Sequence, residues 1–393
     1  MALGIKDRAA VIGMGCTKFG ERYDSNLEDL MIEAIDECLE DAGIEFDDID
    51  AFWFGTFTSG MAGLAFSNRM KSRYKPVTRL ENMCCTGLDS FRNACYGVVS
   101  GAYDVVMAIG AEKLKDGGYS GLEVPTEDSD RTLPDLTAPS RFAFIAPAYA
   151  HKYGLDMKQM KEVMARIAWK NHKNGALNPK AQYRAEVPMD KILKSPMVSS
   201  PMGVMDCSGV SDGAACAIIT RSEDAKKYRK NPMYVKGIQI AAGPAHSEKH
   251  QSYDFTTAFE TYYAGLAAYR EAGITNPREQ ISLAEVHDCF TPTELIIYED
   301  LQFSERGQGW KDALDGFFDL DGGLPVNPDG GLKSFGHPIG ASGIRMLYES
   351  WLQFQGKAGK RQLENPKIGL AQNLGGQPYS CVVGVAIVGK ELG

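Results

Sequence analysis

Short, continuous apolar runs alternate along this chain with longer stretches whose apolar positions recur at helical spacing. Ala9 to Gly13 reads as a buried strand. From Asn26 to Ala42, the residues Leu27, Leu30, Met31, Ala34, Ile35, Cys38 and Leu39 fall on one helical face, and Gly43 follows as a C-terminal glycine should. Ile49 to Gly55 reads as a second strand. A further helix carries Leu88, Phe91, Ala94, Cys95 and Val98 on one side, Gly101 stops the chain, and Asp104 to Gly110 makes a third strand. Strands alternating with helices predict an α/β fold built on a layered sheet.

The same order returns later. Ala272-Gly273-Ile274 closes a helix as Ala42-Gly43-Ile44 does. A short polar connector follows in both places, then a strand, Ile281 to Val286 in one and Ile49 to Phe54 in the other. Ala341-Ser342-Gly343-Ile344 opens a helix much as Cys85-Thr86-Gly87-Leu88 does, and Lys367 to Asn373 is the partner of Asp104 to Gly110. Two faint copies predict a duplicated α/β half, against the bland alternative of chance similarity between generic βα units. Residues 115–200 fit neither copy. They are richer in Pro, Met and aromatics, show one clear helix from Met157 to His172, and read as an inserted loop domain. Asp212 to Thr220 returns to a buried strand. The expected organisation is a first half over residues 1–114, the insert over 115–200, the end of the first half over 201–230, and a second half over 231–393.

Composition narrows the partners. The 393 residues suffice for roughly two to three domains and a large core. A net charge of −9 argues against nucleic acid or an anionic membrane as the main partner. No apolar run reaches transmembrane length, and the first residues lack a secretory pattern. The nine cysteines are scattered and form no CxxC pair. No zinc finger is expected, and reduced thiols in the cytoplasm are.

Four stretches carry candidate chemistry. Cys84 stands in a small-residue turn that runs into the helix of Leu88, where unpaired N–H groups and the helix dipole favour a thiolate. Gly87 lets backbone or ligand approach closely. His287-Asp288-Cys289-Phe290 lies at a strand end, with His287 and Cys289 placed to project to one side. His337 is held in a Gly/Pro-rich turn ahead of a helix. Gly375-Gly376 follows a strand and offers backbone N–H groups to an oxyanion. Singly, each has a structural reading: a buried cysteine, a hydrogen-bonded loop histidine, a capping carboxylate, a turn. Together they suit carbon–carbon chemistry on a thioester, which needs a nucleophile, an acid/base and two oxyanion sites.

Taken in order along nearly the whole chain, these stretches resemble the thiolase superfamily. Cys84-Cys85-Thr86-Gly87 is similar to its nucleophile motif Cys-x-Ser/Thr-Gly, and Gly336-His337-Pro338 with Gly340 and Gly343 to its Gly-His-Pro motif. His287-Asp288-Cys289-Phe290 is similar to the His-Asp-Cys-Phe motif of the sterol-carrier-protein-2 type. The chain departs at Asn373-Leu374-Gly375-Gly376, where most thiolases carry Cys-x-Gly. Members with the His-Asp-Cys-Phe motif are thought to use that motif's cysteine instead, here Cys289, which leaves Cys381 packed in a strand.

The resemblance implies two similar βαβαβαββ halves in an α/β/α/β/α layering, with the loop domain inserted in the first. It implies an acyltransferase that cleaves a 3-oxoacyl-CoA with CoA, or runs the reverse Claisen condensation, through an acyl-Cys84. His337 would take the thiol proton, His287 and His337 would serve one oxyanion, and Cys289 would be the acid/base. Backbone N–H groups of Cys84 and of Gly375 or Gly376 would form the second oxyanion hole. No metal or redox cofactor is implied; coenzyme A is the co-substrate. Lys170, His172 and Lys173 are candidates for its contacts, or equally an exposed helix end. A homodimer or higher oligomer is implied and, from several prokaryotic relatives, a small zinc-containing OB-fold subunit. One branch cleaves benzoylsuccinyl-CoA, and Phe142, Phe144, Tyr149, Tyr153 and Trp169 would wall such a bulky pocket. The alternatives are an acetoacetyl-CoA-forming thiolase, a decarboxylating ketoacyl-synthase-like enzyme, a cysteine hydrolase and a non-catalytic scaffold subunit. Cys289 argues against the second, and the filled motif positions against the last.

Overall fold

The computed structural model describes residues 4–117, 137–244, 253–378 and 380–393. The first half runs β1 (Ala9–Cys16), α1 (Leu27–Ala42), β2 (Ala51–Gly55), α2 (Leu64–Met70), β3 (Val77–Leu80), α3 (Thr86–Val99) and β4 (Val105–Glu112). The insert follows, with α4 (Ala138–Phe142), α5 (Ile145–Tyr153), α6 (Met157–Ala176), α7 (Met189–Leu193) and a small ribbon of β5 (Met197–Ser199) and β6 (Met202–Gly203). Its stretch 118–136 lies outside the described residues. β7 (Gly213–Arg221) and α8 (Ser222–Tyr228) complete the half. The second half runs β8 (Met233–Ala242), α9 (Phe259–Ala272), α10 (Pro277–Gln280), β9 (Leu283–Glu285), α11 (Thr291–Asp300), α12 (Gly309–Leu314), α13 (Gly331–Phe335), α14 (Ile339–Gln355), β10 (Ile368–Gln377) and β11 (Ser380–Gly389).

The main strands join in the order β3-β2-β4-β7-β1-β8-β11-β10-β9. The order carries the duplication. β2 lies parallel to β4, which pairs antiparallel with β7, which pairs antiparallel with β1. Likewise β9 lies parallel to β10, then β11 and β8 follow antiparallel. The halves meet where Ala10 pairs Tyr234 and Val11 pairs Met233. Helices α3 and α14 pack on each other and on strands of both halves, while α1 covers β1 and β7 and α9 covers β8 and β11. This is the α/β/α/β/α layering. Both faces of the central strands are therefore buried, and β1, β4 and β7 are near-continuous apolar runs with alternate residues in different cores. In β4, Val106 and Ala108 face the central helices, while Val105, Met107 and Ile109 join the core beneath α1.

Helix ends match the sequence closely. Asn26 caps α1 in a reciprocal pair with Asp29, and Gly43 and Gly273 end their helices at φ 72° and 79°. Two expectations are corrected. The strand expected over Ile281 to Val286 shrinks to Leu283–Glu285, and the counterpart of β3 is one parallel bridge, Ala284–Val326. Pro325 there accepts from Ala284 N but has no N–H with which to extend a ladder. Strand β10 continues past Asn373 to Gln377, so the diglycine lies within a hairpin, Gly375 opposite Val382 and Gly376 opposite Cys381. The clear helix of the insert is α6, which runs on to Ala176, and beside it the insert holds α4, α5 and α7, too short for a clear period. Among the described residues, no helix is long and apolar enough to cross a membrane.

Candidate active site

Cys84 stands two residues before α3, and His337 two before α14. What brings them together is the close crossing of the two helix starts. A Cβ on Gly87 would lie 2.7 Å from Gly340 O and 3.1 Å from Gly343 N, and one on Gly343 would run into the backbone of Leu88. Larger residues at this crossing would force the helices apart, and with them the two side chains.

Cys84 Sγ lies 3.2 Å from His337 Nε2. On the far side of the ring, Nδ1 is 2.7 Å from Ser342 Oγ, and Ser342 gives its one hydroxyl proton to Pro338 O at 2.9 Å. Ser342 Oγ is left to accept, so Nδ1 carries the ring proton and Nε2 turns a lone pair to the thiol. The turn holding His337 is tied from three directions. Ser211 Oγ accepts from His337 N at 3.0 Å. Glu112, at the end of β4, accepts from Gly340 N at 3.0 Å and from Phe57 N, Thr58 N and Ser59 N. Asp288 accepts from Leu332 N at 2.6 Å and Lys333 N at 3.1 Å, capping α13 just before the turn.

His287 and Cys289 lie just beyond the end of β9, the strand-end position expected of them. Their segment is an extended connector into α11, held by Ser208 N donating to Cys289 O at 2.8 Å and a bridge between Cys207 and Phe290. His287 Nδ1 receives Asn373 Nδ2 at 3.0 Å, and its ring stands edge-on to that of His337, centroids 5.4 Å apart. Single ligating atoms of Cys84, His287 and His337 all lie within 4.8 Å of one another. Cys289 is buried, and burial raises its thiol well above the ordinary value. Gly375 closes the opposite side. A Cβ there would meet Asn82 O and lie 3.0 Å from Cys84 N, so only glycine lets β10 pass this near the turn.

Residues 9–223 match the family described as "Thiolase, N-terminal domain", and residues 241–388 match "Thiolase C-terminal domain-like". The chain belongs to the thiolase family. An acetyl-CoA acetyltransferase of Methanothermobacter thermautotrophicus is 36% identical over 375 residues, covering 93% of this chain and 96% of that protein. Sterol carrier protein 2 of Homo sapiens is 32% identical over 397 residues, covering 94% of this chain and 70% of that protein. These relatives make the chain an acyltransferase of the sterol-carrier-protein-2 type. Among solved structures, the "Ltp2-ChsH2(DUF35) aldolase" superposes with a TM-score of 0.85 at 24% identity over 98% of both chains. An acetyl-CoA acetyltransferase from Syntrophomonas wolfei superposes at 0.70 and 18%, covering 98% of this chain and all of that one. At these identities the superpositions speak for the fold.

Burial around the pair favours the neutral thiol and the neutral imidazole. Burial pushes Cys84 up to about 12, with Glu112 and Glu81 adding to it, and burial pushes His337 down to about 3, with Arg345 adding to it. The thiolate expected from the helix start is not the resting form, because desolvation outweighs the partial charge of the N–H groups. Burial likewise raises Cys289 and lowers His287. Since only the thiolate alkylates, iodoacetamide labelling of Cys84 should climb about tenfold per pH unit from pH 7 to 9. Peptide mass spectrometry can follow it; a plateau near neutrality would mean a preformed ion pair.

Of the three residues proposed to touch CoA, all on α6, Lys170 and His172 are buried and Lys173 is partly exposed. Lys170 is buried, its ammonium 2.7 Å from Glu294 Oε1 and 2.6 Å from Val326 O. His172 is buried with neither ring nitrogen partnered among the described residues, and burial pushes it down to about 3. Lys173 Nζ lies over the Trp169 ring at 4.9 Å. Instead of an exposed helix end, this is where the insert docks on the second half. Asn171 Nδ2 bridges Asp288 at 2.7 Å and Glu294 at 2.6 Å, Asn174 Nδ2 reaches Asn327 O at 3.0 Å, and Asn178 Nδ2 reaches Asp329 O at 2.9 Å. The recurrence of Asn at 171, 174 and 178 was a readable sign of a polar docking face. Glu112, Ser342 and Asn373 were missed as contacts of the site; Ser342 and Asn373 lie in stretches already singled out, but their partners are set by the fold.

Of the five aromatics, Phe142 reaches the site, its ring 4.8 Å from that of Phe290, beside Cys289. Phe144 is exposed and pairs with Phe255. Tyr149 is core and donates to Glu299, Tyr153 packs on it, and Trp169 Nε1 donates to Glu186 at 3.0 Å. Cys381 lies in β11 across from Gly376.

Proposed function

We propose that this thiolase cleaves a 3-oxoacyl-CoA with CoA, and runs the reverse condensation, through an acyl thioester on Cys84. The observation that carries the reading is the 3.2 Å contact from the Cys84 thiol to a His337 nitrogen whose lone pair is aimed by Ser342. As Cys84 attacks the 3-keto carbon, its proton passes to His337 Nε2. That nitrogen becomes a donor at the moment the neighbouring oxygen gains charge, and His287, oriented by Asn373, supports the same oxygen. The Cα–Cβ bond breaks, and the electron pair leaves as the enolate of an acyl-CoA, which takes the proton of Cys289. The Cys289 thiolate then deprotonates an incoming CoA. Its sulfur attacks the acyl-Cys84, and the departing thiolate recovers the proton held by His337. Backbone N–H groups of Cys84 and of Gly375 or Gly376 receive the thioester oxygen. CoA is a co-substrate here, and no resident cofactor takes part.

For the substrate, the reading is a bulky 3-oxoacyl-CoA such as benzoylsuccinyl-CoA, supported by the Phe142–Phe290 ring pair next to Cys289. A small OB-fold subunit would complete the enzyme; the structural likeness to an aldolase whose name pairs it with a DUF35 protein supports this. A second reading, acetoacetyl-CoA chemistry, is favoured by the archaeal relative named acetyl-CoA acetyltransferase. CoA-dependent cleavage of benzoylsuccinyl-CoA and acetoacetyl-CoA should be compared, with and without a candidate small subunit. The expected result is cleavage of the aroyl substrate that rises when the subunit is added. Turnover of acetoacetyl-CoA alone, by the isolated chain, would select the second reading.

A further inference from the structure

The three donor atoms of the site meet the requirements of a chemistry the acyl transfer does not use. Cys84 Sγ, one ring nitrogen of His287 and one of His337 lie within 4.8 Å of one another, both histidines are buried, and the thiol is half-buried. Around a tetrahedral zinc ion, at the usual Zn–S and Zn–N bond lengths, such donors stand roughly 3.3–3.8 Å apart. The Cys84–His337 distance of 3.2 Å is already close to that range. The remaining gaps need a contraction of at most roughly 1.5 Å, shared between the side chains.

The surroundings also suit a metal. A ligating histidine nearly always gives its other ring N–H to a fixed acceptor. His337 does so already, with Nδ1–H on Ser342 Oγ and Nε2 free to bind. For His287, Asn373 Nδ2 sits on Nδ1, so Nε2 carries the proton. The Asn373 amide oxygen, on a fully buried residue, has no partner among the described residues. Turning that amide over would place the oxygen on Nδ1, which could then hold the ring proton and release Nε2 as a ligand. The unpartnered atom is the one the second tautomer requires.

We propose that Cys84, His287 and His337 bind a thiophilic divalent cation, zinc in particular, and that its binding reversibly blocks Cys84. The thiol proton is released to solvent as the Zn–S bond forms. The His287 proton moves from Nε2 to Nδ1, and the fourth position of the ion is left to water. Nothing is oxidised or reduced. The inference does not rest on the chain's being a working thiolase, since it concerns binding and thiol reactivity alone.

The test uses the whole chain with cobalt(II) and zinc as probes. One equivalent of Co2+ should give a thiolate-to-cobalt charge-transfer absorption that Zn2+ displaces and Cys84→Ala removes. Iodoacetamide labelling of Cys84 should slow about tenfold at free zinc ten times its dissociation constant, recover with EDTA, and ignore Mg2+. Ser342→Ala, which leaves all three ligands in place, should weaken zinc binding by about 10–100-fold. His287→Ala should remove the protection, with far-UV circular dichroism confirming its fold. A cobalt band that persists in Cys84→Ala would overturn the proposal. So would zinc affinity unchanged in Ser342→Ala, a variant mild enough to fold whatever becomes of His287→Ala.

Discussion

Cys84→Ala is expected to lose acyl transfer by about 10⁴-fold or more, since removing the nucleophile of a coupled nucleophile–base pair forfeits nearly all that the pair supplies. The expectation stands on the 3.2 Å contact with His337 and on the crossing at Gly87, Gly340 and Gly343 that fixes it. Intact-protein mass spectrometry after brief exposure to a 3-oxoacyl-CoA should show one acyl adduct on the parent chain, on a peptide containing Cys84. The variant should show none. An adduct of equal size on Cys84→Ala would move the nucleophile elsewhere, and Cys289 would be the first place to look.

The second large effect concerns Cys289. Cys289→Ala should lower turnover by about 10²–10⁴-fold, the range for a positioned acid/base group. Acylation of Cys84 in a single turnover should still be detectable, because the thiol proton goes to His337. Cys381→Ala should cost little beyond packing, since its strand position opposite Gly376 places it in a sheet ladder. Burial holds the Cys289 thiol well above its ordinary value, so it rests protonated, which is the form that can quench an enolate. Should Cys381→Ala be the crippled variant, the absence of a cysteine at position 373 would have been misread.

Much of the site was legible because its chemistry lies in short stretches with fixed spacing. The turn at Cys84, the connector from His287 to Cys289, the turn at His337 and the diglycine were all visible, and each has its place around one centre. Gly87 was readable as a point of close approach, and the structure supplies what approaches it: the start of α14. The thiolate expected at the helix start was not borne out, because helix polarity is a local property and desolvation is not. How deeply a thiol is buried depends on segments far away in sequence, here the start of α14 and the turn of His337.

By itself, the sequence determined most of the long strands and helices and their duplication. Strand–helix alternation follows from apolar periodicity, and the paired helix ends at Gly43 and Gly273 follow from the left-handed conformation that glycine adopts most readily. These are local consequences of residue type, legible one stretch at a time. Tertiary structure alone decided which nitrogen of His337 faces the thiol, because that depends on Ser342 and Pro338 sharing a single hydroxyl proton. It alone decided that Lys170 is spent on Glu294 rather than offered to a ligand. It alone joined Asp288 to the insert through Asn171, residues 117 positions apart. A hydrogen-bond partner brought in by chain folding leaves no periodic trace in the sequence, since one polar side chain at the right place is enough.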